Sequence, residues 1–420
     1  MRSLLSDIKS RIKRSTPYRM AGAAKWAYLE GRDGMDRVIR LEPDKRTKGC
    51  ALLSYFIEPY LLDPAKPIPL DHPYYWHESY WECTEMARSF LELGYAVDVI
   101  SWRNKRFIPR ENYEVFLDPR HNMQRLAPLL PKECLKIFHI DVAHILFQNA
   151  AESQRLLAVQ RRRGVTLQPR RFELPNLGIE YADCATMLGN QFTAETFAYA
   201  GKPLYPVSLS TPMIYPWPEG KDFAGCRRHF MWFGSSGLVR KGLDLALEAF
   251  ADMPDFHLTV CGPVSKEQDF EQAYKRELYD LPNIHTIGWV DLGSPQFLEL
   301  MRNCVAQVYP SSCEGQCGGV ITGLAGSLIP IISYESGVDV HDFGIILRTC
   351  SLNEIREAVT ELASRPANEL ERMARKAWQY ARDNHSRDSF ATEWRKVLRT
   401  ILAERSSEKS VQLSAAVAAH

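Results

Sequence analysis

Two short segments hold the residues best suited to chemistry. The first is Tyr309-Pro310-Ser311-Ser312-Cys313-Glu314-Gly315-Gln316-Cys317-Gly318-Gly319-Val320. It sets one carboxylate in a small polar loop, and Gly-Gly then opens a helix-like stretch. A helix N-terminus offers N–H groups and a positive dipole end to a phosphate. Glycines let a ligand approach the backbone, and a carboxylate beside them can accept hydrogen bonds from sugar hydroxyls. The plainer alternative is a glycine-rich turn with Glu314 as a solvated charge. The second segment is Gly234-Ser235-Ser236-Gly237-Leu238-Val239-Arg240-Lys241-Gly242. Its two cations stand at a helix start, where the dipole disfavours them. An anionic ligand would remove that conflict, and so would side chains extended into water.

Other polar candidates are more scattered. His139 and His144 flank Asp141 after a strand-like run, and His72 and His77 stand in a Pro-rich loop. All four could equally be structural histidines. No two Asp residues are separated by a single residue, so there is no Asp-x-Asp metal motif. Gly319, Gly323 and Gly326 lie within a helical pattern and read as packing glycines, not as a dinucleotide turn.

The elements that must position these loops follow a regular alternation. Cys50–Ile57 reads as a buried strand, and Trp76, Tyr80, Cys83, Ala87, Phe90 and Leu91 recur at helical spacing before Gly94. Strands are then expected at 95–102, 135–140, 185–188 and 204–209, with helices at 151–163 and 193–200. A second series starts at Arg228. It places strands at 229–234, 256–261, 284–287, 305–309 and 329–333, with helices at 242–251, 270–279, 297–302 and 318–324. Helices follow from Ser351. Both candidate loops join a strand to a helix, where open α/β sheets bind ligands. The fold class is therefore α/β, with two doubly wound Rossmann-like domains facing a cleft.

The chain has 420 residues, 45% of them apolar and 25% charged, which suits two ordinary soluble domains. The expected division is a basic arm at 1–48, an N-terminal domain at 49–211 and a linker at 212–228. A C-terminal domain at 229–385, a helix at 386–404 that returns to the N-terminal domain, and a flexible tail at 405–420 complete it. The net charge of +1 argues against a nucleic-acid partner. Residues 1–48 carry 13 Lys or Arg against 6 Asp or Glu. Leu4, Leu5, Ile8 and Ile12 share one helical face there, so residues 1–16 are either an amphipathic helix at an anionic membrane surface or a solvated arm. No signal peptide or membrane span is evident. The 10 cysteines are scattered, with no Cys-x-x-Cys, and are expected to be reduced, mostly buried thiols of a cytoplasmic protein.

Taken together, Phe233-Gly234…Arg240-Lys241-Gly242-Leu243-Asp244, then Pro310-Ser311-Ser312-Cys313-Glu314-Gly315, then Leu328-Ile329-Pro330-Ile331-Ile332-Ser333 resemble a glycosyltransferase of the GT-B fold, close to family 4. The resemblance covers residues 229–365; it is only architectural before them. It implies that Lys241 contacts the diphosphate of a nucleotide-sugar donor, with Gly234, Ser235, Ser236 and Arg240 beside it. It implies that Glu314 holds the donor sugar, with Gly315, Gln316, Cys317, Gly318, Gly319 and Val320 cradling sugar and phosphate. Thr322, Gly262 and Pro263 would face the ribose or base, and His144 or His139 would stand near the reacting carbon. The family's second Glu, eight residues after the first, is Thr322 here, and the arginine often found before Lys-Gly is missing from Gly234–Gly237. The implied activity is retaining sugar transfer to a glycan or lipid-linked acceptor, in polysaccharide or cell-envelope glycan synthesis, with no cofactor and no essential metal. The alternatives are a GT-B sugar-nucleotide epimerase or a catalytically silent GT-B scaffold.

Overall fold

The computed structural model describes residues 35–61 and 77–418, with side chains to residue 407. Residues 1–16 and His72 lie outside these. By contact the chain divides at Lys136/Ile137 into two compact units.

The first unit contains β1 (Val38–Leu41), β2 (Cys50–Tyr55), β3 (Ala96–Ser101) and β4 (Tyr113–Asp118), in the order β1-β3-β2-β4. β2 pairs in parallel with β3 and β4, and β1 runs antiparallel on β3. β2 and β3 are buried along their whole lengths, which explains their near-continuous apolar runs. The helix Glu78–Glu92 leads from β2 to β3 and is followed by Gly94 at φ +89°. A Cβ on Gly94 would lie 2.1 Å from Thr47 Oγ1, so only glycine fits. Two strands depart from the sequence expectation. β1 lies inside the segment read as an arm, where Arg40 Nε reaches Asp98 Oδ1 at 2.8 Å. β4 carries no continuous apolar run, because Glu114 and Asp118 interrupt it.

The second unit opens within β5 (Leu135–Ile140), which is parallel to β6 (Cys184–Leu188); β6 in turn is parallel to β7 (Leu204–Val207). It continues with β8 (His229–Phe233), β9 (His257–Cys261), β10 (Ile284–Gly288), β11 (Ala306–Tyr309), β12 (Ile329–Ser333) and β13 (Ile345–Leu347). These form one sheet in the order β10-β9-β8-β11-β12-β13, parallel throughout. Leu243–Ala251, Pro295–Arg302 and Gly318–Ala325 are the main connecting helices. Phe230, Trp232, Phe250, Phe297 and Ile331 are buried between the sheet and its helices. The helix expected at 270–279 is two short ones, Gln268–Ala273 and Lys275–Tyr279. They break at buried Tyr274, whose φ is −113° and whose hydroxyl donates to Glu248 at 2.7 Å. The last helix, Arg387–Ala418, runs on through the tail expected to fray. It packs beside β7, where Ser208 N–H donates to Glu393 at 2.7 Å.

The contact boundary at 136/137 differs from the expected boundary at 211/212. The cause is the helix Ile145–Arg163 and the loop after it, whose arginines reach the later sheet. Arg155 donates to Pro310 O at 2.8 Å, and Arg162 meets Asp244 and Glu248, both at 2.7 Å. Arg163 meets Glu277 at 2.9 Å. All ten cysteines are buried.

Candidate functional site

The strand order of the six-stranded sheet reverses between β8 and β11. Such a topological switch point opens a crevice at the carboxyl ends of the two strands. The loops leaving β8 and β11 are the two segments singled out above.

Their side chains meet in one buried cluster. Lys241 Nζ donates to Glu314 Oε1 at 2.8 Å, and Arg240 Nη2 donates to Glu314 Oε2 at 3.1 Å. Tyr309 Oη and Ser311 Oγ each donate to Oε1 at 3.2 Å, and Lys241 Nζ also reaches Tyr309 Oη at 2.9 Å. Arg240, Lys241 and Glu314 are each no more than 9% exposed. Burial alone would raise the Glu314 carboxyl, but the Arg240 and Lys241 charges outweigh it and hold the pKa at about 2. Burial lowers the Arg240 guanidinium, and the Glu314 charge reverses this and raises it overall. Both groups are therefore ionised at neutral pH. Four donors occupy Glu314, three of them on Oε1. Only Oε2 retains capacity for a sugar hydroxyl.

Backbone contacts lock the same loops together. Ser312 N–H donates to Arg240 O at 2.8 Å, and Glu314 N–H to Glu335 O at 2.8 Å. Trp232 is fully buried, stacks on Tyr309 at 6.1 Å between centroids, and donates its indole N–H to Lys241 O at 3.1 Å. The loop after β5 joins them, since Ala143 N–H donates to Glu314 O at 3.2 Å. Thr193 Oγ1 donates to Gly315 O at 2.9 Å. Gly337 (φ +68°) is required here, since a Cβ would fall 1.7 Å from Gly315 O.

Several expectations change. Gly234 and Gly262 leave room for Trp232: a Cβ on either would lie 2.8 Å or 2.7 Å from its ring. Pro263 is buried beside Gly262. Thr322 is 3% exposed inside the helix Gly318–Ala325. The N–H groups of Gly237 and Leu238 do not wait for a phosphate. Glu267 accepts both, at 2.5 and 3.3 Å, although burial pushes its own pKa up. Ser235 and Ser236 remain exposed. Gln316 accepts from Leu209 N–H at 2.6 Å. Cys317 is buried, and burial pushes its thiol up to about 11. Gly318 and Gly319 are half-buried and Val320 is buried in the first turn of the helix.

The two histidines separate. His139 is fully buried on β5, bonded to Thr186 Oγ1 at 2.8 Å and edge-on to Trp394, so it belongs to the core and not to the Glu314 cluster. His144 caps the helix Ile145–Arg163 through Nδ1. Its Nε2 lies 3.0 Å from Tyr199 Oη, and Tyr199 donates to Glu180 at 2.8 Å. Burial lowers the His144 pKa against the opposing pull of Glu180, which keeps the ring neutral at pH 7. His144 lies one residue from Ala143, so it borders the Glu314 loop. His77 is exposed. Tyr309 and Ser311 lie in the singled-out segment, but the pattern assigned them no role; Arg155 and Glu267 join the site only through tertiary contact. Among the described residues no group of three His, Cys, Asp or Glu could hold a metal ion. No described helix is long and apolar enough to cross a membrane.

No protein-family model matches the chain, and neither does any curated protein sequence. Solved structures do match. Sucrose-phosphate synthase from Thermosynechococcus elongatus is similar with a TM-score of 0.58 at 13% identity, over 85% of this chain and 100% of that one. Alr3699/HepE of Anabaena, solved in complex with UDP-glucose, gives 0.51 at 12% identity, over 84% and 99%. TarM of S. aureus gives 0.47 at 12% identity, over 67% of this chain; the chain spans 55% of TarM, and this looser likeness carries no argument. What the first two share with this chain is the fold, the GT-B architecture of two Rossmann-like domains.

Proposed function

We propose that the chain is a glycosyltransferase that moves a sugar from a nucleotide-sugar donor to a glycan or lipid-linked acceptor. The observation that carries this reading is the buried Lys241–Glu314–Arg240 ion-pair cluster at the switch point of the second sheet. The fold shared with sucrose-phosphate synthase and with a protein solved bound to UDP-glucose supports it. In this reading Lys241, bonded to Glu314 and Tyr309, lends its charge to the donor diphosphate from inside the cluster, and the first turn of Gly318–Ala325 adds a positive dipole end. Glu314 fixes the two loops to each other and offers Oε2 to a donor hydroxyl. Catalysis would then rest on positioning and on neutralising the departing diphosphate. His144, neutral and beside the Glu314 loop, is the acceptor-side residue of this reading, and retention of configuration is its stereochemical form. The basic segment 1–16 favours a lipid-linked acceptor at an anionic membrane surface, in envelope glycan synthesis.

A silent GT-B scaffold is the second reading. The near-saturation of Glu314 and the burial of Thr322 favour it. A thermal-shift screen of UDP-, GDP- and ADP-sugars separates the two. A binder at 100 times its Kd stabilises the native state by about 2.7 kcal/mol, and Lys241→Ala should abolish the shift. If no nucleotide or nucleotide-sugar stabilises the wild type, the donor reading fails. A binder that is neither transferred nor hydrolysed leaves the scaffold, and acceptor-free conversion of the bound sugar into its epimer identifies an epimerase.

A further inference from the structure

A donor diphosphate needs a cation that is not already consumed. In the β8 loop, Arg240 is bonded to Glu314, and Lys241 is shared between Glu314 and Tyr309. The turn N–H groups at Gly237 and Leu238 belong to Glu267. The loop Gly234–Gly237 itself supplies no arginine.

A guanidinium reaches this turn from elsewhere in the sequence. A Cβ placed on Gly237 would lie 3.2 Å from Arg171 Cγ, 3.7 Å from Arg171 Nε and 4.0 Å from Arg240 Cβ. Arg171 therefore lies over the turn that carries Arg240 and Lys241. Gly237 has φ +90°, and a side chain there would be strained and would displace Arg171. The Arg171 backbone is held on both sides. Its N–H donates to the two oxygens of buried Glu152, both at 3.1 Å, and its C=O accepts from Gln148 Nε2 at 2.6 Å.

Its side chain differs from its neighbours. Arg162, Arg163 and Arg170 each meet a carboxylate, and Arg155 meets Pro310 O. Among the described residues the exposed Arg171 guanidinium has no hydrogen-bond or ion-pair partner, yet its charge is felt at Glu314. A rigid backbone carrying an uncommitted planar fork of donors, beside a buried Lys–Glu cluster, matches what bidentate phosphate recognition requires.

We propose that Arg171 is a diphosphate-binding residue, supplied by the loop after the helix Ile145–Arg163 in place of the arginine missing from Gly234–Gly237. This rests on the donor-binding reading above. It adds that the phosphates bridge the β8 loop and the 164–177 loop, so that both halves of the unit meet on the donor. The ligand class is a nucleoside diphosphate or its sugar.

The test is titration calorimetry of the full chain with UDP, GDP and ADP and with the matching nucleosides, for the wild type, Arg171→Ala, Arg171→Lys and Arg161→Ala. Arg161 is an exposed arginine of the preceding helix and controls for general surface charge. The expected result is a loss of about tenfold or more in diphosphate affinity for Arg171→Ala. Arg171→Lys recovers part of it, Arg161→Ala matches the wild type, and nucleoside affinity does not change in any of them. If the wild type binds no diphosphate, the donor reading fails before this one. If the wild type binds and Arg171→Ala binds within twofold of it, or if Arg161→Ala loses as much, the assignment of Arg171 is overturned while donor binding stands.

Discussion

Replacing Glu314 with Gln tests whether the buried cluster holds the two loops together. The amide keeps the shape but presents an NH2 donor where Arg240 and Lys241 already donate. Two routes give the cost. The Glu314 pKa of about 2 lies well below the ordinary glutamate value of 4.5; at about 1.36 kcal/mol per unit this is roughly 3 kcal/mol. Removing one partner of a buried ion pair costs about 3–5 kcal/mol on general grounds. The side chain is 12% exposed, so solvent screening takes little away. The unfolding free energy of Glu314→Gln should therefore fall by roughly 3 kcal/mol at pH 7. The pH dependence has a definite sign. A carboxylate whose folded pKa is depressed stabilises fully above its unfolded value and loses that contribution as pH falls through the folded value. The gap between wild type and Glu314→Gln should be widest above about pH 5 and close towards pH 2. Urea unfolding at pH 7, 5, 4 and 3, followed by tryptophan fluorescence, reads it. Lys241→Met in the Glu314→Gln background should cost less than the two single changes added together, because each removes a group the other leaves uncompensated. A gap under about 1 kcal/mol at pH 7, or one that stays constant from pH 5 to 3, would refute the account of the cluster.

Two further outcomes follow from packing and from a second buried group. Gly262→Ala should lower stability by about 1–3 kcal/mol, since its Cβ would meet the Trp232 ring at 2.7 Å and Gly234 O at 2.8 Å; denaturant unfolding checks it, and an unchanged midpoint would mean that Trp232 can move. His385 is buried beside Leu209 O at 2.9 Å, and burial lowers its pKa to about 4; stability should be full above about pH 6.5 and fall by roughly 3 kcal/mol as pH drops through 4, a slope that His385→Asn should flatten.

The alternation of strands and helices was legible because parallel strands buried on both faces are written as apolar runs. Leu135–Ile140 and Ile329–Ser333 match their expected bounds, and both chemistry-bearing loops leave strand ends as expected. The resemblance implied that Lys241 and Glu314 serve one donor; their direct side-chain contact across 73 residues is seen only in the structure. Glu267, Arg155 and Arg171 were not legible, because nothing in a local pattern marks which charge a distant turn will receive. Gly234 and Gly262 show how a local pattern can carry more than one meaning. A glycine near a strand end suggests close approach by a ligand, but here the close approach is by the indole of Trp232. β4 escaped notice because an exposed glutamate and a buried aspartate break its periodicity, although Asp118 is fully buried and accepts from Met123 N–H at 2.9 Å.

Glu267 has a consequence for selectivity. Bonded to the N–H groups of Gly237 and Leu238, it acts as a tethered competitor for any anion that approaches the turn. A tethered group has an effective concentration on the order of mM or higher, comparable with free phosphate at millimolar levels. Stray anions therefore gain nothing at this turn. A diphosphate gains only where side-chain cations add to the balance, so discrimination between ligands passes from the backbone to cations such as Arg171, Arg240 and Lys241.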